Sequence, residues 1–299
     1  MELQHILNKL RDKNEIAIAK KYSCIANRYT IVLTVLVVCG IFVSIIVRIW
    51  SNLINVDVPM NISHQRSRHL FIVTEYFVDQ EKYFHLILFH MCAFSIGLTA
   101  AVAIGTMLIT YLQHTCGMFR IASYRIEHAM SIDILQNITL KNKILMTKGI
   151  IYAVDIHRQA MKLSRDLLST FDIMMVWLIM CGVVCVSINL FQIASSDGNN
   201  VEELLFSLIF LFTNVIYMFV ANYIGQNVTD HNKYVFSTAY NVQWYRAPIH
   251  IQKMILFLLQ RETKEFTLSV GKLFHASMEC FATLVKTSIS YFTVIYSTR

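Results

Sequence analysis

Long apolar runs separated by short polar stretches dominate the hydrophobic pattern of this chain. A helix needs about 20 apolar residues to cross a bilayer, and the runs reach that length five times. The polar stretches SSDGNNVEE and QNVTDHNK bound the fourth run on both sides. The pattern therefore predicts an all-α integral membrane protein, a helical bundle of five transmembrane helices at 29–50, 83–112, 173–193, 204–224 and 273–296.

Segments outside the apolar runs show helical periodicity of their own. Residues 142–171 hold few helix breakers and continue into the third run, which predicts a cytoplasmic helical extension. Beyond Pro248, which suits the first turn of a helix, an apolar stripe predicts a second helix. A stripe outside the bilayer needs a cover, either a protein partner or the rest of its own fold. Burial in the membrane surface is the main alternative, and assembly is favoured over it.

Composition and charge agree with a membrane protein. Apolar residues make up 56% of the 299 and charged residues 15%, whereas soluble domains carry about one quarter charged residues. The net charge of +7 resides in the loops, so a nucleic-acid partner is not expected. The seven cysteines show no metal-ligand spacing, and the C-x3-C of Cys181 and Cys185 lies inside an apolar run. Packing is the favoured role for these cysteines, and no metal or cofactor is expected.

Lysine and arginine counts predict the orientation. Six lie in 1–28, eight in 113–172 and six in 225–272. The loops on the opposite side, 51–82 and 194–203, hold four together with the C-terminus. The positive-inside rule places the N-terminus in the cytoplasm and the C-terminus outside. The glycosylation sequon at Asn61 falls on the predicted outer side. Residues 1–28 lack the features of a signal peptide and have amphipathic spacing, which predicts a cytoplasmic segment.

No residue pattern favours an enzyme. Asp155 and His157 could be taken for a dyad, but residues two apart do not share a helix face. A secondary transporter would show paired repeats with broken helices, and a G-protein-coupled receptor would place its C-terminus inside. Neither alternative agrees with the sequence as well as a chain that ends outside the cell.

Several motifs resemble one membrane family. They are EYFVDQEKYF at 75–84, YLQHTCGMFRIASYRIEH at 111–128, AVDIHRQAMKLS at 153–164, GQNV at 225–228, AYNVQWY at 239–245, TLSVGKLF at 267–274 and the final SYFTVIYS. On these motifs the chain resembles an insect odorant receptor, of the ligand-tuned type abundant in ants and bees. Members have seven spans, and the five seen here look like the third to seventh, with Met1 in the first cytoplasmic loop.

The resemblance implies an odorant-gated, non-selective cation channel subunit in the plasma membrane of olfactory sensory neurons. It implies a heterotetramer with the olfactory co-receptor, activated by volatile or cuticular hydrophobic odorants. The implied domains are a cytoplasmic segment at 1–28, a ligand-binding bundle at 29–224, an assembly segment at 225–272 and a pore helix at 273–299. The expected assembly residues are Trp244, Tyr245, Pro248, Ile251, Ile255 and Leu258.

The ligand pocket is expected in the outer half of the bundle. In the resembled family it lies among spans that include the first, second and fourth found here. Helical spacing then selects candidate ligand-binding residues on the first span (Gly40, Ser44 and Val47) and on the fourth (Phe206, Phe210, Asn214 and Tyr217). Ordinary helix packing is an equal alternative for any one of them.

The last apolar run carries a lysine and six hydroxyl residues. A rotation of about 100° per residue gathers one polar wedge, which contains Glu279, Thr283, Lys286, Thr287, Ser290, Val294, Ser297 and Thr298. Such residues either line a water-filled conduit or join neighbouring helices. The resemblance favours a pore, with Lys286 and Ser290 in the wedge, Val294 at the gate and Ser297 and Thr298 beside it.

Overall fold

The structure is a computed structural model that describes residues 12–56, 84–136, 139–195, 201–261, 266–271 and 273–298. The candidate glycosylation site Asn61 lies outside the described residues. The same holds for most of the amphipathic segment before Asp12 and for the side chains of Ser44, Val47 and Phe206.

The described chain is almost entirely helical, which confirms the predicted all-α class. Five long helices are α1 (Lys13–Val56), α2 (Phe84–Ala129), α4 (Leu140–Ser195), α5 (Val201–Asn241) and α7 (Met278–Ser297). The shorter elements are α3 (Ile132–Gln136), a 3-10 helix at Trp244–Arg246 and α6 (Ile249–Gln260). Two short strands, β1 (Ser269–Val270) and β2 (Phe274–His275), pair antiparallel as a hairpin.

Four helices are long and apolar enough to cross a membrane: Lys13–Phe42, Ser95–Gln136, Leu140–Ser195 and Ser207–Asn241. They contain the middle of each of the first four predicted spans. The fifth span corresponds to α7, which has the length of a span at 20 residues but is less apolar than the four. Its lower apolar content comes from Glu279, Lys286 and its hydroxyl residues.

The chain divides into two compact units, one formed by residues 1–26 with 109–299 and the other by 27–108. The first unit contains the main hydrophobic core. That core draws on α2 beyond Leu112, the first half of α4, the second half of α5, α6 and the hairpin. The tightest packing therefore lies in the helical extensions and in α6, outside the predicted spans.

A smaller cluster lies where α4, α5 and α7 pack together. Its buried members are Val183, Val186, Met218 and Leu284. Because all three helices contribute to it, this cluster fixes the position of α7 beside the other two.

One predicted boundary is wrong. The last span was expected from residue 273, but the hairpin occupies that region and α7 begins only at Met278. Its first turn is capped by Ser277, whose hydroxyl oxygen accepts a hydrogen bond from the backbone N–H of Cys280 at 3.1 Å. Helix α5 continues past Ile224, the predicted end of the fourth span, to Asn241. Val228, Val235 and Ala239 continue its apolar stripe into the main core.

Candidate ligand and pore residues

Helix α7 presents one face to α4 and α5 and leaves the rest open. Leu284 and Ser288 are its buried residues, and Phe281, Val285 and Phe292 are half-buried. Phe281 meets Phe219 of α5 edge to face, with ring centroids 5.5 Å apart. These contacts define the packed face of α7.

The predicted wedge lies on the open part of α7. The exposed candidate pore residues are Lys286, Ser290, Val294, Ser297 and Thr298, and 57% of Val294 is accessible. Glu279 and Thr283 are also exposed, and Thr287 is half-buried. Toward the C-terminus Ile295 and Tyr296 are exposed as well. In the last turns, exposure therefore does not separate the wedge from the other residues, and only helical periodicity does. The role of these residues in a pore stays a prediction.

The hydroxyl groups of α7 have different surroundings. Thr283 and Thr287 donate to carbonyls four residues back, and Thr293, Ser297 and Thr298 donate to carbonyls three residues back. Ser288 is instead fully buried against α4. Ser288 therefore lies in a helix contact, whereas Thr283, Thr293, Ser297 and Thr298 lie on the exposed part of α7.

The hairpin before α7 is fixed to α4. The backbone N–H of Gly271 donates a short hydrogen bond to Asp172 Oδ1. Gly271 has a φ of 61°, a left-handed conformation that favours glycine. A Cβ at this position would lie 2.4 Å from Cγ2 of Val176. The contact between this hairpin and α4 was not predicted, because two-residue strands are too short to show alternation along the sequence.

Three of the four ligand candidates on α5 have side chains that the structure describes. Phe210 and Tyr217 are exposed and Asn214 is half-buried. Asn214 Nδ2 donates to the carbonyl of Phe210 at 2.9 Å, which leaves Oδ1 as the acceptor available to a ligand. Gly40 lies in the other compact unit, and a Cβ added to it would meet nothing within 4 Å. Ligand binding at these residues stays a prediction.

The expected assembly residues are largely covered by the chain itself. Ile251, Ile255 and Leu258 are buried in the main core. Of the two covers considered for this stripe, the chain's own fold supplies the one over Ile251, Ile255 and Leu258. Trp244 and Pro248 are half-buried, whereas Tyr245 is exposed. Between Trp244 and Gln260, the exposed large apolar residues are Tyr245, Ile249, Leu256 and Phe257, with Phe257 at 77%.

Buried polar contacts join the elements of the main core. A 2.8 Å hydrogen bond links His157 Nε2 to Asn232 Oδ1, and the imidazole lies between the rings of Phe119 and Phe236. Asp155 is exposed and accepts from Gln159, so Asp155 and His157 form no dyad. Within the described residues, no cluster of three or more His, Cys, Asp or Glu could hold a metal ion.

An ion pair ties the start of α1 to α2. The guanidinium of Arg125 donates to the two carboxylate oxygens of Glu15 at 2.5 and 2.9 Å, and to the carbonyl of Tyr152 at 3.0 Å. Next to it, the backbone N–H of Asn14 and the hydroxyl of Tyr124 donate to Asp12 and lower the pKa of that carboxyl group. The sequence motif containing Tyr124 and Arg125 thus has a clear structural role.

Comparisons with known sequences agree with one another. A family model described as 7tm odorant receptor matches residues 1–289. The odorant receptor coreceptor of Anopheles gambiae is 22% identical over 158 residues, which cover 53% of this chain and 33% of that protein. Odorant receptor 47a of Drosophila melanogaster is 22% identical over 205 residues, which cover 66% of this chain and 50% of that protein. The chain therefore spans a third to a half of the length of the curated relatives it matches.

The fold is similar to a solved structure, that of the insect olfactory receptor OR5 from Machilis hrabei in complex with eugenol. The TM-score is 0.66 at 13% identity, and the match covers 96% of this chain and 70% of that chain. At this identity the comparison establishes the fold alone, and that fold is a helical membrane bundle.

Proposed function

We propose, from the premise that this chain belongs to the 7tm odorant receptor family, that it is a subunit of an odorant-gated, non-selective cation channel. Family membership confirms the resemblance drawn from the motifs, and the fold is that of a multi-pass membrane protein. The observation that carries the channel proposal is the open face of α7. A hydroxyl-bearing face with a lysine in a membrane-length helix is costly in lipid and favourable beside water.

The proposal includes a partner and an orientation. The chain acts with the olfactory co-receptor in a heterotetramer at the plasma membrane of olfactory sensory neurons. Its similarity to a protein named as an odorant receptor coreceptor supports this partnership. The positive-inside rule supports a cytoplasmic N-terminus and an extracellular C-terminus.

The partner surface is proposed on the residues that the fold leaves open. Tyr245, Ile249 and Phe257 are large and exposed, and exposed apolar and aromatic patches are typical of protein contacts. They replace Ile251, Ile255 and Leu258, whose side chains are occupied within this chain.

The channel proposal is tested by cysteine accessibility. The chain with Val294→Cys is expressed together with an odorant receptor co-receptor, and a membrane-impermeant thiol reagent is applied from outside during odorant-evoked current. We expect the reagent to block the current at Val294→Cys. We expect the control Ile295→Cys to be insensitive, because it lies about 100° away on the helix. Equal block of both variants, or of neither, would contradict the assignment of Val294 to the pore, and a robust odorant current without the co-receptor would contradict the partnership.

Small hydrophobic odorants are the proposed ligands. A related receptor has been solved with eugenol bound, and pockets for such molecules combine aromatic walls with a few polar groups. The α5 stripe of Phe210, Asn214 and Tyr217 offers both. Gly40, Ser44 and Val47 on α1 remain proposed ligand-binding residues.

Removal of one aromatic ring from the stripe should retune the receptor. For Phe210→Ala or Tyr217→Ala we expect the half-maximal concentration of an aromatic odorant in a panel that includes eugenol to rise roughly tenfold, because a buried aromatic contact contributes about 1.5–3 kcal/mol. Phe212→Ala is the matched control, since Phe212 is an exposed aromatic residue on the same helix but about 200° from Phe210. Unchanged responses at normal surface expression would show that the stripe does not bind ligand.

A further inference from the structure

Helix α4 contacts the last part of the chain at two places, the hairpin and α7. It is a single 56-residue helix from Leu140 to Ser195. Near the start of the third predicted span it contacts the hairpin, and further along it contacts α7 itself. The two contacts differ in the kind of bond that makes them.

The first contact is suited to hold its position. The Asp172 carboxylate accepts from the Gly271 N–H, and bonds to an ionised acceptor are stronger than bonds between neutral groups. Val176, one turn further along α4, closes the space around Gly271. A shift of the hairpin along α4 would break the bond and bring the turn against Val176. The beginning of α7 is therefore anchored.

The second contact is suited to release. Ser187 Oγ lies 2.8 Å from the carbonyl oxygen of Val183, in its own helix, and 2.9 Å from that of Ser288, in α7. A hydroxyl has one hydrogen to donate, so the two carbonyls share or exchange it. If α7 moves away, the hydrogen stays with Val183, and no buried donor is left unsatisfied. The Ser288 carbonyl is likewise positioned to accept within its own helix.

The surroundings of the second contact are mostly apolar, and the neighbouring hydroxyl, that of Ser288, donates to the Leu284 carbonyl at 2.9 Å. Ser187 and Ser288 are both buried, and the neighbouring cluster of Val183, Val186, Met218 and Leu284 is apolar. A hydrogen bond in such surroundings is not replaced by water. It therefore favours the arrangement of α4 and α7 seen in the structure over any arrangement that separates them.

We propose that Ser187 is a positioning residue of the channel, a releasable latch that holds α7 against α4 and so disfavours opening. The Asp172–Gly271 contact fixes one end of the pore helix, and the Ser187–Ser288 contact sets the balance between its resting and open positions. This inference rests on the proposed function, since a latch on α7 affects gating only if α7 lines the conduit.

The test measures how often the conduit opens in the absence of odorant. On the Val294→Cys background, with the co-receptor present and no odorant, the rate of modification by an external, charged thiol reagent reports how often the conduit opens. We expect Ser187→Ala to raise that rate roughly fivefold, the effect of losing one hydrogen bond of ordinary strength. Ser187→Thr keeps the hydroxyl and should restore the slower rate.

The matched control is another buried serine of α4. Ser164 is fully buried and donates only within its helix, to the carbonyls of Ala160 and Met161. Ser164→Ala should leave the rate unchanged, so a general effect of removing a buried hydroxyl is distinguished from release of the latch. If Ser187→Ala does not reach the cell surface, Ser187→Cys keeps the volume with a weaker donor and should give an intermediate rate.

The outcomes separate the latch from the channel proposal. Modification of Val294→Cys with equal rates for Ser187→Ala and the parent, at equal surface amounts, would overturn the latch while leaving the channel intact. The absence of any modification at Val294→Cys, or of any odorant-evoked current, would instead overturn the proposed function. A higher rate in Ser187→Ala alone supports both.

Discussion

Gly225→Ala is expected to be among the most damaging single-methyl additions to this chain. A Cβ at residue 225 would lie 2.3 Å from the Cβ of Ala276 and 2.9 Å from its carbonyl oxygen. Ala276 cannot move away easily, because its N–H donates to the carbonyl of Leu268 at 2.9 Å. Overpacking of this kind typically costs about 1–3 kcal/mol. We expect the upper end of that range, since the obstructing atoms belong to a hydrogen-bonded backbone.

The measurement is the melting temperature of the full chain in detergent, followed by fluorescence-detected gel filtration. A fall of roughly 5–10 °C would correspond to the expected loss of stability. Gly97→Ala is the matched control, because a Cβ at that helical glycine meets nothing within 4 Å, and alanine favours a helix by about 1 kcal/mol over glycine. Ala276→Gly should restore part of the loss by removing the Cβ contact. Equal melting temperatures for the two alanine variants would contradict the close approach of α5 to the hairpin.

Loss of Arg125 should be still more costly. Glu15 is buried, and Arg125 contacts both of its carboxylate oxygens. Arg125→Met would leave a buried carboxylate without its partner, a change that typically costs about 3–5 kcal/mol. It would also remove the donor to the Tyr152 carbonyl. We expect the start of α1 to detach from α2 and the melting temperature to fall by about 10 °C.

A second substitution distinguishes charge imbalance from lost packing. The double variant Glu15→Met with Arg125→Met removes both charges, and apolar replacement of a buried ion pair is often neutral or stabilising. The double variant should therefore be more stable than Arg125→Met alone. Arg125→Lys should fall between the parent and Arg125→Met, because an ammonium group keeps the charge but loses the two-pronged geometry. A double variant no more stable than the single one would show that the ion pair does not govern this contact.

The long helices could be predicted from the sequence because their pattern is local. Apolar runs of membrane length mark the spans, and the lack of breakers in 142–171 predicts the continuous helix α4. On α7, helical periodicity separates the packed Leu284 from the exposed Val294, since a fixed rotation per residue determines which side chains share a face.

The hairpin and the covered stripe of α6 could not be predicted, because they depend on contacts distant in sequence. The Gly271 N–H donates to Asp172, 99 residues away, and no local sequence pattern predicts such a partner. From the sequence, Ile251 and Ile255 could have packed against a partner or in the chain's own core, and the structure shows that they lie in the core. The polar stretch QNVTDHNK marked the end of the fourth apolar run, but its pattern did not show that Asn232 pairs with the buried His157.

The acceptor that Ser187 meets on α7 is a main-chain oxygen, and this has an evolutionary consequence. Every amino acid carries that carbonyl, so position 288 can change in small steps without erasing the bond. Selection for this hydrogen bond therefore acts on the hydroxyl donor at position 187, and positions 187 and 288 need not covary. The packed face of α7 can therefore change its side chain at position 288 without losing the hydrogen bond from Ser187.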